Sequence, residues 1–169
     1  PANEVAGLHW VLDGLLGLPE GLVSAEQRVG WLSFVALLPP VPLGKDEQGR
    51  AFIKPAEEVL EEKRNAENPE LCAVFPFRLY GVGKPDLETA RYTFERRLHR
   101  SCCGWSQDEI HAAHLGLAAE AARGLTARLA PSRQYRFPAF WGPNMDWVPD
   151  QDHGGVGMMA LEAMLMQCE

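Results

Sequence analysis

The sequence predicts an all-α domain of helical hairpins with one small β-hairpin, and three observations support this fold class. Apolar residues recur at helical spacing through most of the chain. Helix start and stop signals, such as Ser24 three residues before Gln27 and the prolines of "LPPVP", separate these stretches. Only residues 42–55 carry a hairpin pattern, with the turn at Gln48–Gly49.

The first half of the chain predicts three helical stretches around the hairpin. Residues 4–17 and 25–38 form two apolar helices, since each holds leucines or valines three and four residues apart. After the hairpin comes a charged stretch over 56–64. A helix is then expected from Pro69 to Tyr80, with Pro76 kinking or breaking it.

The second half predicts four more helices. Asp86 stands where a cap would begin a helix over 87–100, and Ser106 with Glu109 has the spacing of a capping box. Two helices follow, over 107–117 and 118–130. The last helix, over 155–168, is apolar on nearly every side, which predicts that it is buried. The whole chain, 1–169, has the length of one domain.

Composition narrows the classes of partner. The chain has 169 residues, a net charge of −7 and a pI near 5.3, which argue against a nucleic-acid partner and against an anionic membrane surface. No apolar run approaches the length of a transmembrane helix. No phosphate-binding or dinucleotide-binding motif occurs, and we expect no cofactor. The four cysteines have no zinc-site spacing, which favours free thiols.

A loop rich in acids and aromatics is the first candidate site. Residues 140–155 read "FWGPNMDWVPDQDHGG" and show neither strand nor helix periodicity. Carbohydrates combine apolar C–H faces with polar rims, so tryptophans beside carboxylates suit them. The residues proposed to line a sugar site here are Trp141, Asp146, Trp147 and Asp150. The alternative is a structured loop whose aspartates cap helices and whose tryptophans fill the core.

Two other polar groups are weaker candidates. The run 61–70 offers Glu67, Asn68 and Glu70 as one edge of a sugar cleft, or it is a solvated connection. His111 and His114 lie three residues apart on a predicted helix. A metal site there is conceivable, but the stronger zinc pattern, two histidines four apart with an intervening glutamate, is absent, so we expect no metal.

Three segments together resemble a known enzyme family. They are "ENPELCAVFPFRLYG" (67–81), "CCGWSQDEIHAAHLGLAAEA" (102–121) and "DQDHGGVGMMALEAMLMQ" (150–167). In that order they resemble the C-terminal half of the helical barrel of glycoside hydrolase family 95, which includes α-L-fucosidases and galactosidases. The resemblance covers about residues 60–168. It implies an (α/α)6 toroid around an acidic sugar cleft, of which this chain would hold one part.

The resemblance also implies residue roles. The family's inverting chemistry uses a glutamate as acid and a water polarised by an aspartate, and that aspartate falls on Asp152. His153 stands where the family has glycine and is expected to contact the sugar beside Asp152, and Glu70 stands where the family has histidine. The family's acid lies upstream of the matched segments, so Glu67, Glu70 and Glu109 are the candidates within this chain.

Two functions of different class follow from these observations. The first is a glycoside hydrolase-like domain with Asp152 as the base-polarising carboxylate, inactive or weak alone because one carboxylate cannot perform both proton transfers. The second is a non-catalytic helical module that binds carbohydrate or protein. A partial toroid would expose apolar helix faces, which predicts a homodimer.

Overall fold

The computed structural model describes residues 1–59, 67–102, 104–130 and 151–166, and these residues are mainly helical. This confirms the mainly helical class and the single small hairpin, whereas the toroid and the single domain over 1–169 stay predictions. The elements are α1 Ala2–Leu16, α2 Ala25–Val35, β1 Leu43–Lys45, β2 Ala51–Ile53, a 3-10 turn Pro69–Ala73, α3 Leu87–Arg96, α4 Asp108–His114, α5 Ala118–Arg128 and α6 Gln151–Leu165.

The first two helices form a hairpin, as expected. Ser24 caps α2, because its hydroxyl accepts from the Gln27 amide at 3.1 Å while the Ser24 amide donates to the Gln27 side chain at 2.8 Å. Arg28 ties α2 back to the end of α1 by donating to the carbonyls of Leu16 and Leu18. α1 buries its small residues, Ala2 and Ala6, whereas no residue of α2 is buried.

The β-hairpin is fastened to α3 at several points, among them the Tyr92 phenol and the Thr93 hydroxyl, which accepts from the Ile53 amide at 2.8 Å. β1 and β2 pair antiparallel with Gly44 opposite Phe52. The Tyr92 hydroxyl of α3 donates to the Asp46 carboxylate at 2.6 Å, and the guanidinium of Arg50 lies over the Tyr92 ring. The Tyr92 hydrogen bond, with further bonds from Arg50, lowers the pKa of Asp46 from 3.8 to about 2.

Several predicted helix features are wrong. Asp86 precedes α3 but its side chain makes no capping hydrogen bond, and α3 ends at Arg96 and not at residue 100. The helix expected from Pro69 to Tyr80 is only a 3-10 turn that ends at Ala73. Pro76 has no amide hydrogen to donate, and Arg78 has a positive φ of 49°, so the helical hydrogen-bond ladder cannot continue. The capping box at Ser106 and Glu109 does not form either. The Ser106 hydroxyl donates to the Ser101 carbonyl instead, at 2.8 Å.

Helices α3 to α6 enclose the main apolar core. Leu71, Val74 and Phe94 pack there with alanines of α4, α5 and α6, and a smaller cluster joins α1 to Ile53. α6 begins four residues earlier than predicted, at Gln151. The prediction that it is buried on nearly every side is wrong, because Met158 is 74% and Leu165 75% exposed.

A polar network is buried where α4, α5 and α6 meet. Arg128 of α5 is fully buried and pairs with the equally buried Glu109 of α4 at 3.1 Å. The same guanidinium donates to the carbonyls of Gly104, Ser106 and His153. The fully buried imidazole of His153 in turn bonds the Arg128 carbonyl and the Gly104 amide, at 2.7 and 3.2 Å.

Close approach of α5 to α4 depends on a glycine in this region. A Cβ at Gly124 would lie 2.6 Å from Cγ of Glu109, well inside van der Waals contact. The Glu109 side chain cannot move aside without losing its bonds to Arg128. The absence of a side chain at Gly124 therefore lets the buried ion pair form.

No helix among residues 1–59, 67–102, 104–130 and 151–166 is both long and apolar enough to cross a bilayer. This finding agrees with the sequence, which has no uninterrupted apolar run of transmembrane length.

Removing Arg128 is expected to destabilise the fold severely. In Arg128→Leu the Glu109 carboxylate and three backbone carbonyls stay buried without their donor, so the free energy of unfolding should fall by about 3–5 kcal/mol. Chemical denaturation followed by circular dichroism measures this. The matched control is Arg123→Leu on the same helix, which breaks the exposed pair with Glu120 and should cost under about 1 kcal/mol. Equal losses in the two variants would contradict the role given to Arg128.

Candidate functional site

A cavity of about 250 Å3 lies between the 3-10 turn and the start of α4. It combines an exposed aromatic face with polar groups from both chain segments. The side chains that carry its chemistry are Glu67, Asn68, Cys72, Trp105, Gln107 and His111.

Each wall of the cavity is fixed by hydrogen bonds to the backbone. Asn68 donates to the His99 carbonyl at 2.8 Å and accepts from the His99 amide at 3.2 Å, which ties the start of the 3-10 turn to the end of α3. Trp105 follows Gly104, whose amide and carbonyl both belong to the buried network around Arg128. The Trp105 side chain is therefore held on a rigid loop, and it is 40% exposed.

His111 is the one buried imidazole that lines this cavity. Its side chain is only 5% exposed. Neither ring nitrogen makes a hydrogen bond of ordinary length and angle within the described part of the chain, although the ring is near enough to the Phe75 backbone for a weaker one that raises its pKa. The Phe75 ring stands edge-on to it, with centroids 6.5 Å apart. Incomplete hydrogen bonding of a buried polar group costs free energy, and a ligand in the cavity could complete it.

The His111 imidazole is neutral at physiological pH. Burial lowers its pKa from 6.5 to about 3, and the charges of Arg97 and His114 act in the same direction, while the nearby Phe75 backbone opposes them. His114 stacks on the other side of Phe75 at 5.7 Å, and burial lowers its pKa to about 4. A neutral imidazole offers one donor and one acceptor.

The cysteine in the wall is not an activated nucleophile. Burial raises the pKa of the Cys72 thiol, and the carboxylates of Glu67 and Glu70 raise it further. The thiol therefore stays protonated near neutral pH. Cys72 is a free thiol, as the sequence favours. Within the described ranges, no group of three or more His, Cys, Asp and Glu side chains is placed to hold a metal ion.

The residues predicted from sequence fall into four groups. Glu67 and Asn68 line the cavity, while Glu70 is buried beside it. Asp152 is exposed in the first turn of α6 and does not line this cavity. His153 is buried in the network, where its ring holds the fold and is closed to a ligand. The remaining four lie outside the described residues, namely Trp141, Asp146, Trp147 and Asp150.

Glu109, one of the candidates for the catalytic acid, is held in a buried ion pair and is closed to substrate. Its carboxylate is 1% exposed and bound to Arg128. Asp108, which lies at the edge of the cavity, is bound by Arg97 at 2.9 Å. Glu67 is thus the exposed carboxylate among the cavity residues.

A larger cavity, of about 610 Å3, lies between the hairpin, α3 and the start of α5. Two of its arginines pair with carboxylates, Arg91 with Glu88 and Arg97 with Asp108, while Arg100 donates to the Glu95 carbonyl. Arg50 is likewise held by Asp46. This cavity is therefore a groove lined by ion pairs, whereas the smaller one presents an exposed aromatic ring and a buried imidazole.

Sequence reasoning did not select Trp105 or identify the role of His111. Trp105 lies in the segment "CCGWSQDEIHAAHLG", which contributes to the family resemblance, but no local pattern marks it as exposed. His111 was considered only as a metal ligand. The family resemblance does contain one clue to this site. It joins this segment with residues 67–81, and these two segments form the opposite walls of the cavity.

Comparison with known proteins gives no assignment. No family model matches the chain, and neither the curated proteins nor the solved structures include a significant match to it. The function is therefore argued from the geometry of the site.

Replacing His111 with leucine is expected to stabilise the protein. The substitution removes two buried nitrogens without hydrogen bonds of ordinary geometry, which should raise the free energy of unfolding at pH 7 by about 1–2 kcal/mol. It should also change the pH dependence. In the wild type, His111 becomes protonated below about pH 6.5 in the unfolded chain but only below about pH 3 in the folded protein. The free energy of unfolding therefore falls as the pH decreases from 6.5 to about 3.

Urea denaturation at a series of pH values tests both expectations. Stability of His111→Leu should fall less steeply between pH 6.5 and 4, by up to about 1.4 kcal/mol per pH unit. His114 keeps its own share of the slope, because its pKa is lowered in the same direction. A variant less stable than the wild type, with an unchanged slope, would show that the ring has a partner.

Proposed function

We propose that the chain is a carbohydrate-binding helical domain and that its sugar site is the cavity next to Trp105. The observation that carries the proposal is the meeting of Glu67 and Asn68, both predicted as one edge of a sugar cleft, with an exposed tryptophan and the buried His111. A sugar ring needs one apolar surface and several hydrogen-bonding groups around it. The cavity offers both.

The contacts of each side chain indicate the role that it would have in binding a sugar. The Trp105 face would cover the C–H face of the ring and exclude water from it. Glu67 and Gln107 would bond hydroxyls at the rim. Asn68 would act mainly by positioning, since its amide is already bonded to the backbone of His99 on both sides.

Hydrolysis is the finer proposal and rests on the family resemblance. Inversion needs two carboxyl groups roughly 6.5–9.5 Å apart across the sugar. Asp152 would polarise the water, and Glu67 is the candidate acid in the described chain because Glu109 and Asp108 are held by arginines. The geometry favours binding over catalysis, since Asp152 does not line the cavity that holds Glu67.

Truncating Trp105 is expected to weaken sugar binding. Trp105→Ala removes the apolar platform, and the dissociation constant should increase by about tenfold. Isothermal titration with methyl fucoside, galactoside and glucoside measures this. Trp10→Ala is the matched control, because Trp10 is also half exposed but lies on α1, away from the cavity, and its removal should leave the affinity for sugar unchanged. Equal affinity in the two variants would place the sugar elsewhere.

A hydrolysis assay with aryl glycosides tests the hydrolase proposal, and fucosides and galactosides are the first substrates to try. Any turnover by the wild type should be lost by at least about a hundredfold in Asp152→Asn, which keeps the shape and removes the charge. Glu162→Gln, on the exposed side of the same helix, should retain it. No turnover by the wild type leaves the chain a binding module and rejects the hydrolase proposal for it.

We also propose that the partner is a second copy of the chain, docked through α1 and α2. Apolar residues occur on all sides of α2, yet none of its residues is buried. A helix apolar on all sides is normally covered. The large side chains that are 40–80% exposed in this hairpin are Leu8, Trp10, Val11, Leu22, Val29, Leu32, Phe34 and Leu37.

Area and charge favour a protein partner of the same kind. At roughly 100 Å2 each, these eight side chains offer about 800 Å2, which is what one partner contributes to a stable interface. The helical hairpin of α1 and α2, residues 1–38, holds four acidic side chains and one arginine. An anionic lipid surface would therefore be repelled. A two-fold pairing of identical hairpins would cover apolar surface with apolar surface.

A charged substitution on α2 is expected to separate the dimer. Val29→Glu with Leu32→Glu places two carboxylates on one side of the helix, and light scattering should report a monomer at micromolar concentration. Leu98→Glu is the control, since Leu98 is 73% exposed outside the hairpin and its variant should stay a dimer. A wild type that is monomeric at this concentration rejects the proposed interface.

A further inference from the structure

We infer that His111 is a ligand-binding residue at the base of the Trp105 cavity and that the ligand is an uncharged, polyhydroxylated ring, not a sugar acid or a sugar phosphate. This inference rests on the proposed carbohydrate function and specifies the class of sugar. It is carried by three features of the site: the buried imidazole, the charge of the walls and the size of the space.

The imidazole lines the cavity with hydrogen-bonding capacity that a ligand could use. The side chain of His111 is 95% removed from solvent, and within the described residues its nitrogens make no hydrogen bond of ordinary geometry, only a weaker approach to the Phe75 backbone. A sugar hydroxyl donates one hydrogen bond and accepts others, so it matches a neutral imidazole that does both. A carboxylate accepts from the ring N–H but has no proton to donate to the other nitrogen, so it uses only one of the two groups.

The charged groups around His111 oppose protonation of the ring. Arg97 acts on it from α3 and His114 from the next turn of α4, and both disfavour the imidazolium. Asp108 lies nearby but is bound to Arg97 at 2.9 Å, so its charge is offset. The ring therefore does not become a cation that could hold an anionic ligand.

The walls carry negative charge. Glu67 and Asp108 both line the cavity, and no lysine or arginine belongs to its described lining. Only Asp108 has a cationic partner in a described ion pair. An anionic sugar brought into this space would meet the carboxylate of Glu67 without a compensating guanidinium, whereas a neutral ring would find a hydrogen-bond acceptor.

The space fits a single ring. Its volume of about 250 Å3 is below the usual range for drug-sized ligands, which begins near 300 Å3. One pyranose ring lying on Trp105 would bring a hydroxyl to the base of the cavity, where His111 is. The rest of an oligosaccharide would extend into solvent.

The experiment compares three ligand classes on four proteins. The ligands are methyl hexopyranosides, the matching uronates and the matching hexose phosphates. The proteins are the wild type, His111→Leu, His111→Gln and His114→Leu, each checked for folding by its thermal melt. Titration calorimetry gives affinities, and nitrogen-detected NMR of the His111 ring reports its hydrogen bonds.

The expected results separate a binding role from a structural one. The neutral glycoside should bind the wild type, shift the His111 ring nitrogens and lose about fivefold in affinity in His111→Leu. His111→Gln, which again offers a donor and an acceptor, should recover affinity to within about twofold, and His114→Leu should bind normally. The uronate and phosphate should bind about tenfold more weakly than the neutral glycoside.

Two kinds of result would overturn the inference. If neutral glycosides bind His111→Leu as well as the wild type, or if uronates bind equally well, the role of His111 or the charge selectivity is rejected while carbohydrate binding stands. If no ligand of the three classes binds, the proposed function and the inference both fail.

Discussion

The guanidinium of Arg128 is the group on which the arrangement of α4, α5 and α6 depends. Arginine has five N–H donors, and here each has an acceptor: two bonds reach Glu109, two reach the carbonyls of Gly104 and His153, and one reaches Ser106. Burying an ion pair is costly unless its remaining donors and acceptors are also satisfied. This complete set of bonds makes a buried charge compatible with a stable core.

The same network connects the core to the candidate site. Gly104 and Ser106 accept bonds from Arg128, and Trp105 stands between them on the chain. The loop that presents the aromatic face is thus fixed by a residue on another helix, and the Asn68 clamp fixes the opposite wall. The backbone beside Trp105 and the Asn68 side chain are thus held in place before any ligand arrives, which would lower the free-energy cost of binding at the candidate site.

Periodicity and capping predicted much of the fold. The helices near 4–17, 25–38, 107–117 and 118–130 and the hairpin turn lie where the pattern placed them, because local spacing and local caps decide them. The errors have non-local causes. Ser106 and Glu109 are not a capping box because Arg128, nineteen residues after Glu109, takes the carboxylate. The spacing of Ser106 and Glu109 cannot show that a distant arginine will bind the carboxylate.

The candidate site was predicted only in part for the same reason. Glu67 and Asn68 were proposed from their composition, and they do line a cavity. The role of His153 was taken from its place in the family pattern, whereas burial decides it here. Whether a tryptophan or histidine faces a cavity or the core depends on the segments that fold against it. Those segments are distant in the sequence.

The attachment of α6 has a consequence for how the chain could be divided. α6 is bound to α4 and α5 by apolar contacts of Val156 and Ala160 and by the backbone and ring of His153. None of these bonds runs through the chain segment that connects α5 to α6. A polypeptide ending after α5 and a separate peptide beginning at Gln151 therefore hold between them all the groups of these described contacts, and they should recombine in solution as a non-covalent complex.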